Sequence, residues 1–287
     1  MARALGSWWI ELGRPDPFVV VEVGAGTGTL AASVLAAGLP PALRYVAVER
    51  SSALRAVAAE RLAGRAAVVG GLPTDPFDGV VLANELLDNL PFRLLHRTDS
   101  AAPSGWAEVF VDRHLEEMLV PAPSNVAVEA VRLASDAPVG ARIPLQQEAA
   151  TWVAEAVGRI GRGRVVVVDY ADTTPSMASR RWTEWVRTYR AHGRAGHPLH
   201  DLGSADITCE VAVDQLPRPT ADRSQAGFLR AHGIDNLATV ARREWTERAH
   251  IGDLQALKAR SRVTEAGALT DPSGLGAFRV LEWEVPG

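Results

Sequence analysis

The sequence predicts an α/β fold in which a parallel sheet is wound with helices on both sides. Residues 19–23 form an apolar run interrupted only by Glu22, which is typical of a strand buried on both faces. Gly24, Gly26 and Gly28 follow at alternate positions, and a run of helix-forming residues comes next. A strand, a glycine turn and a helix in this order form the ligand-binding corner of a doubly wound sheet.

The composition argues against several classes of protein. With 47% hydrophobic residues and a formal net charge of −4, the chain gives no electrostatic reason to bind nucleic acid. Cys209 is the single cysteine, which excludes an internal disulfide and a thiolate metal cluster. No apolar run has the length of a membrane span, and the start lacks the apolar region of a signal peptide. We therefore expect a cytoplasmic protein without a membrane span, a metal or a nucleic-acid partner.

The glycine turn indicates the kind of ligand. Glycines let a ligand approach the backbone N–H groups, which a side chain would obstruct. The third glycine of the dinucleotide fingerprint G-x-G-x-x-G is replaced by Thr29. This spacing, with Glu22 just before the turn, favours S-adenosylmethionine over NAD. The alternative is a tight turn that binds nothing.

A second landmark is the acid at the end of the second predicted strand, residues 45–48. Glu49 there is expected beside the glycine turn, where a carboxylate can accept both ribose hydroxyls of an adenosine. The alternative is a solvated surface glutamate. Arg50 is expected at the same site, and Ser51 or Ser52 is expected to cap the next helix.

The sequence offers more than one candidate for the contact with the adenine ring. The third strand, residues 66–69, ends in glycines, so Gly71 and Leu72 are expected to line the cofactor. Either Asp75, Asp78 or the backbone could receive the adenine amino group.

The fourth strand, residues 79–83, opens into a polar segment at the carboxyl end of the sheet, where ligands bind. Asn84 can offer its amide to the cofactor or the substrate. If the chain turns helical after Asn84, Glu85 and Asp88 share one face, and two carboxylates there could hold a guanidinium. The alternative is that Asp88 caps a turn and Glu85 is solvated.

The rest of the chain alternates less regularly. We expect a β-hairpin over residues 93–97 and 106–111, with turn-forming Ser100, Pro103 and Ser104 between them, then Glu116 and Glu117 in a loop. Residues 125–134 fit a strand or a helix equally, whereas the pattern of 146–160 predicts an amphipathic helix. A fifth central strand, residues 165–170, places Asp169 at a carboxyl end.

The segment 177–192 is aromatic and basic, and we interpret it as a cap over the ligand rather than a nucleic-acid surface. Its His192, with His197 and His200, lacks the spacing of a metal site. Helices are predicted at 224–232 and 251–264, and residues 277–283 form a terminal strand. The expected organisation is a cofactor-binding core with the hairpin at 1–170, a cap at 171–205, and a part completing the core at 206–287.

Several segments together resemble the MidA-type methyltransferases, which include the mitochondrial complex I assembly factor, a protein arginine methyltransferase, and many bacterial members. The family patterns are E-x-G-x-G-x-G-T-L, A-N-E-x-x-D-x-L-P, D-Y-G, D-I-T and T-Q-x-x-F-L. Here they correspond to residues 22–30, 83–91, 169–171, 206–208 and 224–229, with 106–108 as a further match.

The resemblance implies a bacterial, S-adenosylmethionine-dependent enzyme with a seven-stranded, Rossmann-like class I methyltransferase sheet, an inserted hairpin and a helical cap. It implies a protein arginine as methyl acceptor and allows a homodimer; a small-molecule O- or N-methyltransferase and a non-catalytic assembly chaperone are the alternatives. We expect Asn84, Glu85 and Asp88 to be the catalytic residues. The residues expected to bind the cofactor are Glu22, Gly24, Ala25, Gly26, Gly28, Thr29, Glu49, Arg50, Gly71, Leu72 and Asn84.

The sequence also departs from the family. Ala25, Thr27 and Ala171 stand where the family has Pro, Arg and Gly, and little precedes the glycine turn where the family has an N-terminal extension. Because the glycines and Glu49 are present, we expect cofactor binding to be kept. The acceptor pocket is expected to be more open than in the family.

Overall fold

The computed structural model describes residues 1–99, 105–190 and 193–287, so the predictions for Ser100, Pro103, Ser104 and His192 lie outside the described residues. The chain forms two compact units. Unit 1 comprises Met1–Asn84, Ala156–Val168 and Pro219–Gly287, and unit 2 comprises Glu85–Glu155 and Asp169–Arg218. The three-part boundaries expected from the sequence stay a prediction.

The described part of the chain contains ten α-helices and short 3₁₀ turns at Leu87–Asn89, Val213–Gln215 and Leu275–Ala277. The α-helices are α1 (Ala2–Glu11), α2 (Thr29–Leu35), α3 (Ser52–Leu62), α4 (Ser124–Leu133), α5 (Gln147–Gly158), α6 (Thr174–Ala178), α7 (Trp182–Trp185), α8 (Gln225–Ala231), α9 (Ile234–Arg248) and α10 (Leu254–Thr270). Among these residues, no helix is long and apolar enough to cross a membrane.

Sixteen strands alternate with the helices in the same residues. They are β1 (Phe18–Val23), β2 (Leu43–Val48), β3 (Ala67–Val69), β4 (Phe77–Asn84), β5 (Arg93–Arg97), β6 (Trp106–Val111), β7 (Glu117–Pro121), β8 (Arg142–Leu145), β9 (Ile160–Asp169), β10 (Ala171–Asp172), β11 (Val186–Arg190), β12 (Gly193–Arg194), β13 (Asp206–Cys209), β14 (Val211–Ala212), β15 (Ala221–Ser224) and β16 (Arg279–Val285).

Unit 1 is built on a seven-stranded sheet in the order β15-β16-β9-β4-β1-β2-β3. The pairs from β3 to β9 are parallel, and β15 pairs with β16 antiparallel. Val20, Val80 and Val165, one from each of three neighbouring strands, are fully buried. This order confirms the predicted seven-stranded sheet. Its central strands are apolar because strands of a parallel sheet are covered on both faces.

Two glycines, on β4 and β9, allow the central strands of this sheet to lie at their normal spacing. Gly79 and Gly163 have φ values of +154° and +144°. A Cβ on Gly79 would lie 1.8 Å from the carbonyl oxygen of Val19, and one on Gly163 would lie 1.8 Å from that of Gly79. A side chain at either position would therefore force neighbouring strands apart.

Unit 2 contains three small sheets, in the orders β7-β6-β5-β8, β12-β11-β13 and β10-β14. The predicted hairpin is present as the antiparallel pair of β5 and β6. Glu117, predicted in a loop, instead begins strand β7, which pairs with β6. The ambiguous residues 125–134 are helix α4, because Val126, Ala130 and Leu133 bury one helical face.

In its described residues, 177–190, the segment predicted as a cap is helical at the end of α6 and in the single turn of α7, and continues as strand β11. Its Trp185 is fully buried, and the indole N–H donates to the carbonyl of Met177 at 3.1 Å. Met177 and Trp185 pack with Val186 and Cys209. This segment therefore supplies part of the apolar core of unit 2.

The predicted C-terminal helices correspond to α8 and α10. Helix α9 was not predicted, and Ala241 is its single buried residue, so it has no apolar stripe to reveal it. Between the segment predicted as a cap and these helices, Val211 and Ala212 form strand β14 of the two-stranded sheet with β10.

Candidate functional site

The glycine turn of unit 1 joins β1 to α2 and is tied to the end of β2. The N–H groups of Gly24 and Ala25 both donate to the carbonyl of Val48, at 2.9 and 3.0 Å. Gly24, Gly26 and Gly28 have φ values of +74°, +54° and +73°, a region that favours glycine. These bonds and the three glycines therefore define the shape of the turn.

The glycines serve different purposes. A Cβ on Gly28 would lie 3.3 Å from the Cβ of Ala58 on α3, so this glycine allows two helices to approach. Apart from Gly26 and its two chain neighbours, no described residue has a heavy atom within 4 Å of the position of a Cβ on Gly26. That open space is where a ligand can reach the backbone, and it fits the cofactor predicted from the sequence.

Glu49 lies against the turn, as predicted. Its Oε2 accepts the N–H of Gly26 at 2.9 Å and its Oε1 accepts the N–H of Ser51 at 2.8 Å. Each carboxylate oxygen has a second acceptor position. The two backbone bonds hold the half-buried carboxylate in one orientation, with one acceptor on each oxygen left for the two hydroxyls of a ribose.

Arg50 contributes to this corner through its backbone. The guanidinium of Arg55 donates from Nη1 to the carbonyls of Glu49 and Arg50, at 2.8 and 2.7 Å. The side chain of Arg50 is exposed. This contact fixes the chain immediately after β2, where Glu49 is presented.

Glu22 is buried, with 4% of its surface exposed, and has partners inside the fold. The hydroxyl of Tyr45 on β2 donates to its Oε2 at 2.7 Å. Burial raises the pKa of Glu22, whereas hydrogen bonds from Tyr45 and from the backbone of Ala31 lower it. Glu22 thus joins β1 to β2 and to the first turn of α2; its predicted role at the cofactor stays a prediction.

The remaining cofactor candidates differ in exposure. Ala25 is buried, Thr29 is exposed with its hydroxyl 3.1 Å from that of Thr27, and Gly71 is exposed beside the half-buried Leu72. Asn84 is exposed at the carboxyl end of β4, opposite Val168 of β9.

Asp78 can be removed from the candidates for the adenine contact. It lies at the beginning of β4 and forms an ion pair with Arg162 at 2.8 Å. Six residues of strand, about 20 Å, separate it from Asn84 at the carboxyl end. The same argument applies to Asp75, which lies two residues before the start of β4 at Phe77, so the backbone is left as the candidate.

The carboxylate cluster of unit 2 consists of Glu85, Asp88 and Asp169. The condition for a shared helical face of Glu85 and Asp88 is not met, because Glu85 has a φ of +50° and the helical turn covers only Leu87–Asn89. A left-handed residue cannot continue a right-handed helix. Glu85 is exposed, whereas Asp88 and Asp169 are 3% and 1% exposed.

Asp169 organises the loop that carries the other two carboxylates. Its Oδ2 accepts the N–H groups of Leu87 and Asp88, at 2.9 and 3.3 Å. Its Oδ1 accepts the N–H of Tyr170 at 2.9 Å. On the other side of the loop, the amide of Asn89 donates to Oδ1 of Asp88 at 2.7 Å.

The electrostatics of this cluster favour proton exchange near neutral pH. Burial, and then the charge of Glu85, raises the pKa of Asp88 to about 7. Burial, and then the neighbouring Asp88, raises the pKa of Asp169 well above its ordinary value. The cluster therefore combines an exposed carboxylate, which can attract a cation, with a buried one that can accept a proton near pH 7.

Tyr170 completes the cluster and was not predicted as a site residue. Its hydroxyl donates to Oε2 of Glu85 at 3.2 Å. Asp169 was expected at a carboxyl end, but no role was assigned to it. The signal in the sequence was their position at the carboxyl end of a buried strand. Among the described residues, no group of three or more His, Cys, Asp or Glu side chains could hold a metal ion.

Comparisons with known proteins agree with this geometry. A family described as "Putative S-adenosyl-L-methionine-dependent methyltransferase" matches residues 1–232. The mouse protein named protein arginine methyltransferase NDUFAF7, mitochondrial, is 27% identical over 283 residues, which cover 80% of this chain and 61% of that protein. The human protein of the same name is 27% identical over 283 residues, covering 80% and 60%. The chain thus spans about three fifths of the length of these relatives.

Two crystal structures of Burkholderia thailandensis proteins are similar over almost the whole chain. An uncharacterized protein is 28% identical with a TM-score of 0.77, covering 99% of this chain and 77% of that one. A structure bound to S-adenosyl-homocysteine is 26% identical with a TM-score of 0.79, covering 99% and 75%. The family match, together with the glycine turn and Glu49, leads to one conclusion: the chain belongs to this family of S-adenosyl-L-methionine-dependent methyltransferases.

Proposed function

We propose that the methyl acceptor is the guanidinium group of a protein arginine, held by Glu85, with Asp88 as the proton acceptor. The observation that carries the proposal is the carboxylate cluster of unit 2. An arginine is cationic at any physiological pH, so its pocket must supply negative charge. The similarity to proteins named protein arginine methyltransferase supports the same acceptor.

On the cofactor side, we propose that Glu49 accepts the two ribose hydroxyls and that the backbone at Gly26 approaches the ligand. When bound, S-adenosylmethionine supplies a methyl group on a positively charged sulfur. Glu49 suits the ribose because its carboxylate is fixed by two backbone N–H groups, at 2.9 and 2.8 Å. A carboxylate that is already oriented loses little entropy on binding.

On the acceptor side, Glu85 attracts and orients the guanidinium. One guanidinium nitrogen gains the methyl group while the sulfur–carbon bond breaks, and the same nitrogen must lose one proton. Asp88 receives that proton on its carboxylate, since its pKa of about 7 lies near the operating pH. The sum leaves a methylated guanidinium, with its positive charge unchanged, and a neutral sulfur.

The test is methyl transfer from a methyl-labelled cofactor. Arginine-containing peptides and a cell extract serve as acceptors, with lysine-substituted peptides as matched controls, and mass spectrometry maps the label. We expect label on arginine nitrogens only. Label in small molecules of the extract would favour a small-molecule methyltransferase. Normal binding of S-adenosyl-homocysteine without any product would favour an assembly chaperone.

The homodimer, the cytoplasmic location and the bacterial source stay predictions. Size-exclusion chromatography with light scattering measures the first directly. A monomer at micromolar concentrations would contradict the predicted homodimer.

A further inference from the structure

Asp169 and Tyr170 are neighbours in the sequence, and both contact the loop that carries Glu85 and Asp88. Asp169 contacts the backbone of this loop, and Tyr170 contacts one of its side chains. We propose that they are the positioning residues of the acceptor site: Asp169 fixes the backbone of Leu87 and Asp88, and Tyr170 fixes the side chain of Glu85. This inference rests on the proposed arginine site and goes beyond it by assigning what holds the site in shape.

The first contact concerns the 3₁₀ turn Leu87–Asn89. The first N–H groups of a helical turn have no partner within the turn and need one from outside. Asp169 supplies it to Leu87 and to Asp88 from a position 82 residues further along the chain. Its third bond, from the N–H of Tyr170, holds the carboxylate itself in place. Asp88 is therefore presented by a turn whose start is closed by Asp169.

The second contact concerns an exposed side chain. The backbone of Glu85 is left-handed, and its side chain is exposed. An exposed glutamate ordinarily samples many rotamers. The Tyr170 hydroxyl, 3.2 Å from Oε2, selects one of them. Because a hydrogen bond to a charged group is stronger than one between neutral groups, this restraint is substantial.

Tyr170 is itself held on two sides. Its carbonyl accepts the N–H of Val211 at 2.8 Å, and the guanidinium of Arg187 lies 5.6 Å from the centre of its ring. Arg187 is paired with Glu210 at 2.5 Å and donates to the carbonyl of Glu184 at 2.8 Å. The charge of Arg187 is thus balanced by Glu210, while its plane supports the tyrosine ring.

A double-mutant cycle tests the role of Tyr170. Tyr170→Phe removes only the hydroxyl, and we expect kcat/KM for an arginine peptide to fall about ten- to a hundredfold, the scale of a hydrogen bond to a charged group. Affinity for S-adenosyl-homocysteine should change less than about twofold. In a Glu85→Ala background, which lacks the acceptor oxygen, Tyr170→Phe should have almost no further effect. Equal losses in both backgrounds would overturn the proposal, because a merely structural role is independent of Glu85.

The role of Asp169 is tested by the split between kcat and KM. Asp169→Asn has one acceptor oxygen where the carboxylate has two, so it cannot keep both the bond from Tyr170 and the bonds from Leu87 and Asp88. We expect kcat for an arginine peptide to fall about tenfold, because Asp88 is no longer held in place, while KM changes less than about twofold. Asp214→Asn is the matched control, because Asp214 also accepts a backbone N–H, that of Thr174, at 2.7 Å. Equal losses in both variants, or none in Asp169→Asn, would overturn the assignment.

Two further measurements need no turnover and so separate this proposal from the proposed function. Hydrogen exchange at the amides of Leu87 and Asp88 should be slow in the wild type and at least tenfold faster in Asp169→Ala. A difference titration should show a lower phenol pKa of Tyr170 in Glu85→Gln than in the wild type. Unchanged exchange or an unchanged phenol titration would refute the contacts, even if the wild type methylates arginine. Both results as expected, in a protein without arginine methylation, would retain the contacts but remove their assignment to an acceptor site.

Discussion

The backbone N–H of Asp88 donates to Oδ2 of Asp169 at 3.3 Å, so two almost fully buried carboxyl groups belong to one hydrogen-bonded loop. Two such groups cannot both ionise without a large cost in free energy. Burial, and then the charge of Asp88, accordingly raises the pKa of Asp169 well above its ordinary value. Burial, and then the charge of Glu85, raises the pKa of Asp88 to about 7. This relationship has consequences for stability as well as for chemistry.

The contribution of Asp88 to the stability of the protein should fall as the pH rises from about 4 to about 7. A carboxyl group whose pKa is raised on folding stabilises the fold while protonated, and this contribution is lost as the pH passes the folded-state pKa. Calorimetric unfolding of Asp88→Asn should give a flatter pH dependence, with a gain at pH 8 on the order of 2 kcal/mol. The exposed Asp136→Asn serves as control. Superimposable curves for Asp88→Asn and the wild type would contradict the assignment.

Charge at Glu85 should be needed for methyl transfer but not for cofactor binding. Glu85→Gln keeps the shape and removes the charge, and we expect methyl transfer to fall by about two to four orders of magnitude. Affinity for S-adenosyl-homocysteine, measured by calorimetry, should stay within a few-fold. Asp88→Asn should have a similar but milder effect, and Glu116→Gln none. Wild-type turnover in Glu85→Gln would favour a neutral acceptor.

The carboxylate of Glu49 should dominate the cofactor contact. Glu49→Ala should weaken binding of S-adenosyl-homocysteine by about 1.5–3 kcal/mol, the range for hydrogen bonds to a charged group. Asp78→Ala is the informative comparison, because Asp78 pairs with Arg162 at the other end of β4. It should leave the affinity unchanged. Comparable losses in the two variants would remove the special role of Glu49.

Gly26 and Gly28 should respond differently to substitution. Gly26→Val should abolish cofactor binding, because its side chain would enter the open space at the turn, and the left-handed backbone adds about 1–2 kcal/mol of destabilisation. Gly28→Ala should cost more stability than Gly26→Ala. The new Cβ at position 28 would press against Ala58, whereas a new Cβ at position 26 would point into open space. Melting temperatures and binding measured on the same samples separate the two effects. A more stable Gly28→Ala than Gly26→Ala would contradict this account.

The cofactor corner was predictable because its signals are local. The apolar strand, the glycine turn and the acid after the second strand lie within about 30 residues. The turn and the acid each follow directly after a strand, so the pattern places them at the same end of the sheet. The position of Asp78 was not predictable in the same way. Whether a residue begins or follows a strand depends on boundaries, which a pattern gives only to within a few residues.

The acceptor side could be predicted in composition but not in geometry. Glu85 and Asp88 were recognised from their position after a strand, yet the left-handed backbone at Glu85 has no signature in a glutamate. Asp169 contacts Leu87 across 82 residues, and no spacing rule reaches that far. Similarly, the ambiguity of residues 125–134 was decided by tertiary packing, which buries Val126 and Leu133 of α4.

The glycine pair of the central sheet has a consequence for mutational scanning. Gly79 and Gly163 stand in register across β4 and β9, and a Cβ on either would meet a backbone oxygen at 1.8 Å. In a saturation library selected for activity, both positions should be depleted of every substitution, as strongly as Gly26. A map of intolerant positions would therefore highlight the middle of the sheet together with the ligand end. Adding a selection for soluble expression separates the two, because Gly26 variants should pass it whereas Gly79 and Gly163 variants should not.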